Sequence, residues 1–273
     1  GVDLTGFSTR VTQDGSSWND GDKIGTYVLD MKTLEPVTEA ANVPYVCSEE
    51  GASVSFTSTT PLKVQNDGTP VKFVAYYPYN ADVRNFNYPV QLAAQERGST
   101  ACDLLYAATK EEYTYSPENE PHISLNFTHR LAKVILKFVN MEKEPLEVSD
   151  VRIEGMQTAA SFNIQTDVLT VDESSVATIN PYHNATTGFY EAIILPSALT
   201  DSYKVSFVLD DREKEWIFTN LDIALPQFHK GYSYTFALYI DDSGFVEMGR
   251  LENVEGGNSS APWEDGSSED GTA

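Results

Sequence analysis

Apolar and polar residues alternate along residues 125–138 with the two-residue period of a β-strand. The apolar residues of this alternation occupy odd-numbered positions up to Leu131 and even-numbered positions from Val134 onward. A regular strand cannot move its apolar residues to the other face of a sheet. Either a bulge inserts one extra residue, or the chain leaves one packing environment and enters another. The pattern leaves both explanations open.

Strand-like alternation recurs along most of the chain and predicts strands with one solvent-facing side. Its clearest case is residues 232–240, where aromatic and aliphatic residues form one face and Ser233, Thr235 and Ala237 lie on the other. Residues 188–195 are apolar on both faces, which predicts a strand flanked by other strands. Helical patterns are confined to short pieces such as residues 90–97, which end at Gly98. Turn-forming Asn, Asp, Gly and Pro separate the strands. We therefore expect an all-β fold of the Greek-key β-sandwich type.

The length of 273 residues suits two domains of ordinary size. Charged residues and Pro145 interrupt the strand-rich sequence at residues 140–145. We predict an N-terminal β-sandwich domain over residues 1–140 and a C-terminal one over residues 141–273. From about residue 249 the chain is rich in Gly, Ser and acidic residues, which predicts a flexible acidic tail, although Trp263 would also suit an ordered segment.

The charge balance bears on possible partners. Lysine and arginine total 18 against 41 aspartate and glutamate, a formal net charge of −23. Such a surface repels nucleic acid phosphates and anionic lipid headgroups, so we expect neither nucleic acid nor direct membrane-surface binding. No apolar run reaches the roughly 20 residues that cross a bilayer, and no signal peptide is recognisable. Because the sequence starts at Gly1 without a methionine, we expect a form from which a targeting segment has been removed.

The sequence offers little catalytic chemistry. Cys47 and Cys102 are the only cysteines, and two free thiols are as consistent with the pattern as one disulfide. His129 shares the strand phase of Leu131, which predicts a hydrogen-bonded core histidine in preference to a catalytic one. Three pairs of aspartates could in principle act as acid and base in sugar hydrolysis, but they lie beside turns, where solvated carboxylates are the ordinary case: Asp20/Asp22, Asp210/Asp211 and Asp241/Asp242. No nucleophile elbow or phosphate-binding loop is present. We therefore predict no enzyme, no cofactor and no metal.

Six sequence segments, in this order, resemble the fimbrillin-like family of anchored pilins of Gram-negative oral and gut anaerobes. Each motif alone is weak, but together they span almost the whole chain. The segments are WNDGDKIGTY (residues 18–27), FVAYYPY (73–79), DLLYA (103–107), LNFTHRLAKV (125–134), KGYSYTF (230–236) and PWEDG (262–266).

The resemblance implies two sandwiches of transthyretin-like topology, export as a lipoprotein, and a structural role in adhesive surface fimbriae. It also implies that a trypsin-like protease removes an N-terminal strand and that a neighbouring subunit then donates a strand. On this sequence the processing site would be the bond between Arg10 and Val11, and the displaced strand would carry Val2, Leu4 and Phe7. An ordinary surface arginine at position 10 is an equal alternative.

The partners implied by the resemblance are other pilin subunits and a host protein or glycan receptor. The membrane would be reached only through the lipid anchor of a precursor, so the expected location is the cell surface, either outer-membrane-anchored or fimbrial. The donor strand is not identified, because the apolar residues after Phe245 are irregularly spaced. A surface carbohydrate-binding or adhesin module that never polymerises is the main alternative, and a hydrolase with convergent carboxylates is a third.

Overall fold

The computed structural model describes residues 17–37, 41–51, 53–64, 67–95, 98–114, 123–221, 225–252 and 264–265. Within these ranges the regular structure is β-strand, apart from one short 3-10 helix at Ser99–Cys102. The prediction of an all-β fold is confirmed. The arrangement as two tandem transthyretin-like sandwiches stays a prediction.

The strands are numbered in chain order. They are β1 (Lys23–Asp30), β2 (Val43–Cys47), β3 (Phe56–Thr57), β4 (Val71–Tyr77), β5 (Asn87–Gln91), β6 (Leu105–Ala108), β7 (Thr128–His129), β8 (Ala132–Asn140), β9 (Ser149–Glu154), β10 (Ala159–Asn163), β11 (Val168–Val171), β12 (Tyr182–Asn184), β13 (Phe189–Ile194), β14 (Ser197–Ala198), β15 (Lys204–Leu209), β16 (Arg212–Ile217), β17 (Gln227–Phe228), β18 (Tyr232–Ile240), β19 (Val246–Glu252) and β20 (Glu264–Asp265).

The first sheet has the strand order β3-β2-β1-β4-β6-β7, and all its neighbouring strands are antiparallel. Both faces of its central strands are buried. Ile24 and Phe73 belong to the core on one face, whereas Leu29 and Val74 belong to the core on the other. Strands buried on both faces read as near-continuous apolar runs, as VKFVAYY in β4 does.

The second half of the chain forms a β-sandwich. One layer has the order β12-β13-β8-β18-β19, and the other has the order β16-β15-β9. A core of buried side chains from both layers, among them Leu136, Phe207, Trp216 and Phe236, lies between them. β8 and β18 run parallel and share eight register pairs, from Lys133–Ser233 to Asn140–Ile240.

A three-stranded linking sheet joins the two halves of the chain. Its order is β11-β10-β5, so β5 from the first half pairs with β10 from the second. A core on this side combines Tyr76 and Val90 with Phe162 and Ile193. The two halves therefore share apolar packing as well as backbone hydrogen bonds.

The change of apolar phase near Leu131 has a structural explanation. β7 pairs with β6 in the first sheet, whereas β8 pairs with β13 and β18 in the sandwich. Phe127 packs in the core of the first sheet, and Val134 packs in the core of the sandwich. The chain thus passes from one packing environment to another, which is the second of the two expected explanations.

Three other expectations require correction. β8 precedes the predicted division at residue 140 but pairs with later strands, so the chain changes sheets between β7 and β8. The tail does not begin near residue 249, because residues 249–252 belong to β19 and pair with β18. The helix expected at residues 90–97 is wrong for its described part, since β5 continues through Gln91 and pairs with β10.

Candidate functional site on the loop-covered face of the first sheet

The residues predicted for processing and strand displacement lie outside the described part of the chain. They are Val2, Leu4, Phe7, Arg10 and Val11. The described structure begins at residue 17, one residue before a strongly anchored tryptophan. The candidate site comprises Trp18 and the face of the first sheet on which Trp18 packs.

Trp18 fixes the chain to the first core. Its side chain is fully buried, and its backbone exchanges hydrogen bonds of 2.9 and 3.1 Å with Gly51. Its indole makes edge-to-face contacts with Phe56, Tyr77 and Phe127 at centroid distances of 4.9, 5.3 and 5.5 Å. Such aromatic contacts add about 0.5–1.5 kcal/mol each beyond burial. The chain before Trp18 can thus be altered without removing this anchor.

One face of the first sheet, which we call the loop-covered face, packs against segments that are not strands. Ile24, Val28, Phe73 and Ala75 form part of its apolar floor. The side chains that cover this floor include Trp18, Val54, Leu62, Val64, Ile123, Leu125 and Phe127, and none of them lies in a strand. Among the described residues, side chains rather than a second hydrogen-bonded sheet therefore close this face.

Residues 123–127 lie over the loop-covered face with a strand-like alternation. Ile123, Leu125 and Phe127 are buried, while Ser124 and Asn126 between them are exposed. None of the described strands pairs with this segment. The sequence pattern identified the inward phase of Leu125 and Phe127 but missed Ile123, which shares that phase and could have been included.

Polar side chains lie at the rim of the same core. The Tyr77 hydroxyl donates to Asp22 Oδ1 at 3.2 Å, and burial raises the pKa of Asp22 above its usual range. His129 Nδ1 lies 2.8 Å from Asp103 Oδ2, and both side chains are buried. The expectation of a hydrogen-bonded core histidine at position 129 is confirmed.

The cysteines are free thiols. Cys47 is buried and Cys102 is partly exposed. Cys47 donates to the carbonyl oxygen of Glu49 at 2.7 Å, and burial raises the pKa of its thiol. Because the thiolate is the reactive form of cysteine, a raised pKa makes Cys47 a poor nucleophile at neutral pH.

The aspartates considered as acid–base candidates serve turns. Asp22 Oδ2 accepts a hydrogen bond from the Asn19 N–H at 2.8 Å, and Asp241 Oδ1 accepts from the Ser243 and Phe245 N–H groups at 2.9 Å. Asp210 and Asp211 both adopt positive φ in the β15–β16 turn. In the described ranges, no group of three or more His, Cys, Asp or Glu side chains could hold a metal ion.

In the described part of the chain, no helix combines the length and apolar character that crossing a bilayer requires.

Comparison with solved structures shows the same fold in proteins of Bacteroides species. A candidate cell adhesion protein from Bacteroides uniformis superposes with a TM-score of 0.76 at 23% identity, over 92% of this chain and 96% of that chain. A second candidate cell adhesion protein, from Bacteroides ovatus, superposes with a TM-score of 0.66 at 16% identity, over 93% of this chain and 95% of that chain. A fimbrial protein from Bacteroides ovatus superposes with a TM-score of 0.50 at 18% identity, over 88% of this chain and 50% of that chain.

Identities below 25% show a shared fold and leave function open. Among curated proteins, none matches this chain. The sequence model of one family, described as fimbrillin-like, matches residues 9–263. That match covers all but the two ends of the chain, and therefore this protein belongs to the fimbrillin-like family.

Proposed function

We propose that this protein is a structural subunit of cell-surface fimbriae that support adhesion. In this proposal it is exported, reaches the outer membrane through the lipid anchor of a precursor, and has no enzymatic activity. Its main partners are other pilin subunits, and the assembled fimbria binds a host protein or glycan. Membership of the fimbrillin-like family over residues 9–263 supports the proposal.

The loop-covered face is the observation that carries the assembly mechanism. It has an apolar floor of sheet residues and a cover that includes residues 123–127, which pair with no described strand. An extended strand from another subunit could add its apolar side chains to this floor and pair its backbone with the cover. Assembly by exchange of one strand for another keeps the number of backbone hydrogen bonds unchanged, so the exchange can be nearly balanced.

The N-terminal segment is the strand proposed to be displaced. In an extended segment Val2 and Leu4 share one face, and Phe7 lies on the opposite face, so the segment carries apolar side chains on both faces. Burial of side chains of this size contributes about 1.5–3 kcal/mol each, so three of them are worth roughly 4.5–9 kcal/mol before ordering costs. Cleavage between Arg10 and Val11 would release these residues, and the buried Trp18 would keep the new terminus attached to the core.

An arginine-specific protease tests this mechanism on the intact chain. We expect cleavage to give a new N-terminus at Val11 and ladders of oligomers that persist in detergent and dissociate on boiling. Arg10→Ala should stay uncleaved and monomeric. Arg84→Ala is the matched control, because Arg84 is an exposed loop residue and its loss should leave both products unchanged.

Two results would count against the proposed assembly. Protein that is cleaved at Arg10 but stays monomeric would separate processing from polymerisation and contradict strand exchange. Protein that binds a defined ligand on a glycan array, with no fibres on the cells that produce it, would favour the alternative of a non-polymerising adhesin module.

A further inference from the structure

The linking sheet ends in an open edge strand, β11, on the side away from β10. β11 has the sequence Val-Leu-Thr-Val, with no charge and two β-branched valines. Val168 is 51% exposed, which is high for a valine in a strand, and Thr170 is also exposed. An uncharged, β-branched edge of this kind is a template on which another strand can pair.

The backbone groups that face outward from β11 follow from its hydrogen bonds. The N–H of Asp172 donates to the carbonyl of Ala159 at 3.0 Å, so Asp172 faces β10. Because backbone groups alternate along a strand, the N–H and C=O groups of Leu169 and Val171 face away from β10. Among the described residues, none supplies a strand partner for these four groups.

Other edges of the described sheets are blocked against pairing. β5 carries Pro89, whose nitrogen lies on the open side and cannot donate. Four of the six residues of β16 are charged, which discourages strand addition. The outer sides of β9 and β19 meet Ile179 and Leu221 through isolated bridges. β3, β7 and β12 have only two or three residues each. β11 combines length with an unprotected edge.

The charges that flank β11 indicate which partner fits. Asp167 precedes the strand but is paired with Arg130, whose guanidinium donates to both of its carboxylate oxygens. Asp172 and Glu173 follow the strand, and no ion pair engages them within the described residues. A second copy of this chain would bring the same acidic flanks and another net charge of −23. Like charges across neighbouring strands are destabilising, whereas opposite charges contribute favourably. A segment with a basic residue at the end that meets Asp172 and Glu173 would therefore complement β11 better than a second copy would.

We propose that β11 is a docking edge that accepts an extended segment of a partner protein by backbone pairing. The segment has an uncharged, β-branched middle and Lys or Arg at the end that lies beside Asp172 and Glu173. It would pair with the outward groups of Leu169 and Val171 and lie beside Val168 and Thr170. This site is separate from the loop-covered face, so it does not depend on strand exchange or on cleavage at Arg10.

Amide exchange measured by NMR on the full chain tests the proposal. The probe is the blocked hexapeptide Lys-Thr-Val-Thr-Val-Lys at millimolar concentration, and the control replaces both lysines with glutamate. We expect the basic-flanked peptide to slow exchange of the Leu169 and Val171 N–H groups roughly tenfold, because pairing protects them. The Val168 and Thr170 N–H groups, which already face β10, should change little.

Three variants test whether the outward N–H of Val171 and the charge near β11 determine peptide binding. Val171→Pro removes one outward N–H without removing a bond to β10, and should abolish protection at Leu169. The double variant Val168→Lys/Thr170→Lys changes only exposed side chains and should reverse the preference in favour of the glutamate-flanked peptide. Val176→Lys is the matched control, because Val176 is 54% exposed but lies beyond β11, and it should retain the original preference.

Three outcomes would overturn the proposal. If neither peptide protects the Leu169 and Val171 N–H groups from exchange, the edge does not accept a strand. Equal protection by both peptides would show that the acidic flanks do not select the partner. Protection that is already present without peptide and disappears on dilution would identify a second copy of this chain as the occupant.

Discussion

The side-chain amide of Gln95 pairs with both backbone groups of Ile193. Gln95 Oε1 accepts the Ile193 N–H at 2.7 Å, and Gln95 Nε2 donates to the Ile193 carbonyl at 2.7 Å. Gln95 is buried, and it also donates to the carbonyl of Leu92 at 2.7 Å. The side-chain amide thus makes the two hydrogen bonds that a neighbouring strand would make with Ile193 in β13. It joins two parts of the chain that are far apart in sequence.

We predict that Gln95→Leu lowers the free energy of unfolding by about 2–4 kcal/mol, because three buried backbone groups, the N–H and C=O of Ile193 and the C=O of Leu92, lose their partner. Urea unfolding followed by circular dichroism measures the change. Gln91→Leu is the control, since Gln91 is exposed at the end of β5, and it should cost little. A loss below about 0.5 kcal/mol in Gln95→Leu would show that the pairing contributes nothing measurable.

A second prediction concerns the close approach of β19 to an indole ring. A Cβ atom added at Gly249 would lie 2.1 Å from Trp216 Cζ2, far inside contact distance. Gly249→Ala should therefore destabilise the protein by about 1–3 kcal/mol through overpacking. Trp216→Phe should make room for the methyl group, so a double-mutant cycle should give a favourable coupling. Additive effects of the two substitutions would contradict this explanation.

A third prediction concerns the dependence of stability on pH. Burial raises the pKa of Asp22 above its usual 3.8, so the folded protein holds this proton more tightly than the unfolded chain does. The free energy of unfolding should then fall as the pH rises from 3.8 through the raised value. Asp22→Asn should remove this fall and be more stable than the wild type at pH 7, but not at pH 3. Denaturant titrations across this range measure the difference.

Asp30 provides the control of opposite sign. The N–H groups of Thr33 and Lys32 hold the pKa of Asp30 below its usual range. Its contribution to stability is therefore present above pH 3.8 and is lost as the pH falls through the lowered value. Asp30→Asn should be less stable than the wild type at pH 7 and approach it in acid. The same sign for both variants would contradict these assignments.

The fourth prediction concerns thiol reactivity. A maleimide reagent at neutral pH should label Cys102 first, because Cys102 is partly exposed. Cys47 should react only in denaturant, since it is buried and its thiol pKa is raised. Peptide mass spectrometry after timed quenching gives the two rates. Cys102→Ser should leave the native protein almost unlabelled, and rapid labelling of that variant would contradict the buried environment of Cys47.

The strand pattern predicted the fold class well, because the alternation of residues is local information. The change of phase near Leu131 was also visible, and the structure identifies it as a passage between sheets. What the pattern could not supply was the set of strand partners. β8 pairs with β18, about a hundred residues later, and local sequence carries no record of such a contact.

The incorrect helix shows the same limit. The apolar residues among 90–97 have a spacing that suits a short helix, yet Val90 and Gln91 pair with β10 as part of a sheet. Tertiary pairing outweighed a weak local preference there. In β18 the pattern predicted one wet face, but Ser233 and Thr235 on that face are buried as well. Burial of the second face depends on neighbours that the strand's own sequence does not encode.

The candidate site divides in the same way. The apolar phase of Leu125 and Phe127 predicted that they face a core, whereas the loop-covered face required the sheet order. The processing bond between Arg10 and Val11 lies outside the described residues and stays a prediction. The open edge of β11 could not be predicted from local sequence, because the order of all strands in the sheet determines which strand lies at its edge.

The parallel contact between β8 and β18 has a mechanical consequence. A pull applied to the start of β8 and the end of β18 stretches all eight register pairs simultaneously, in shear, and cannot open them one after another as in an unzipping hairpin. Resistance to such tension depends on the rate of forced rupture and not on equilibrium stability. In a polymer of the kind proposed above, the sandwich of the second half of the chain would therefore resist rapid loading along this direction.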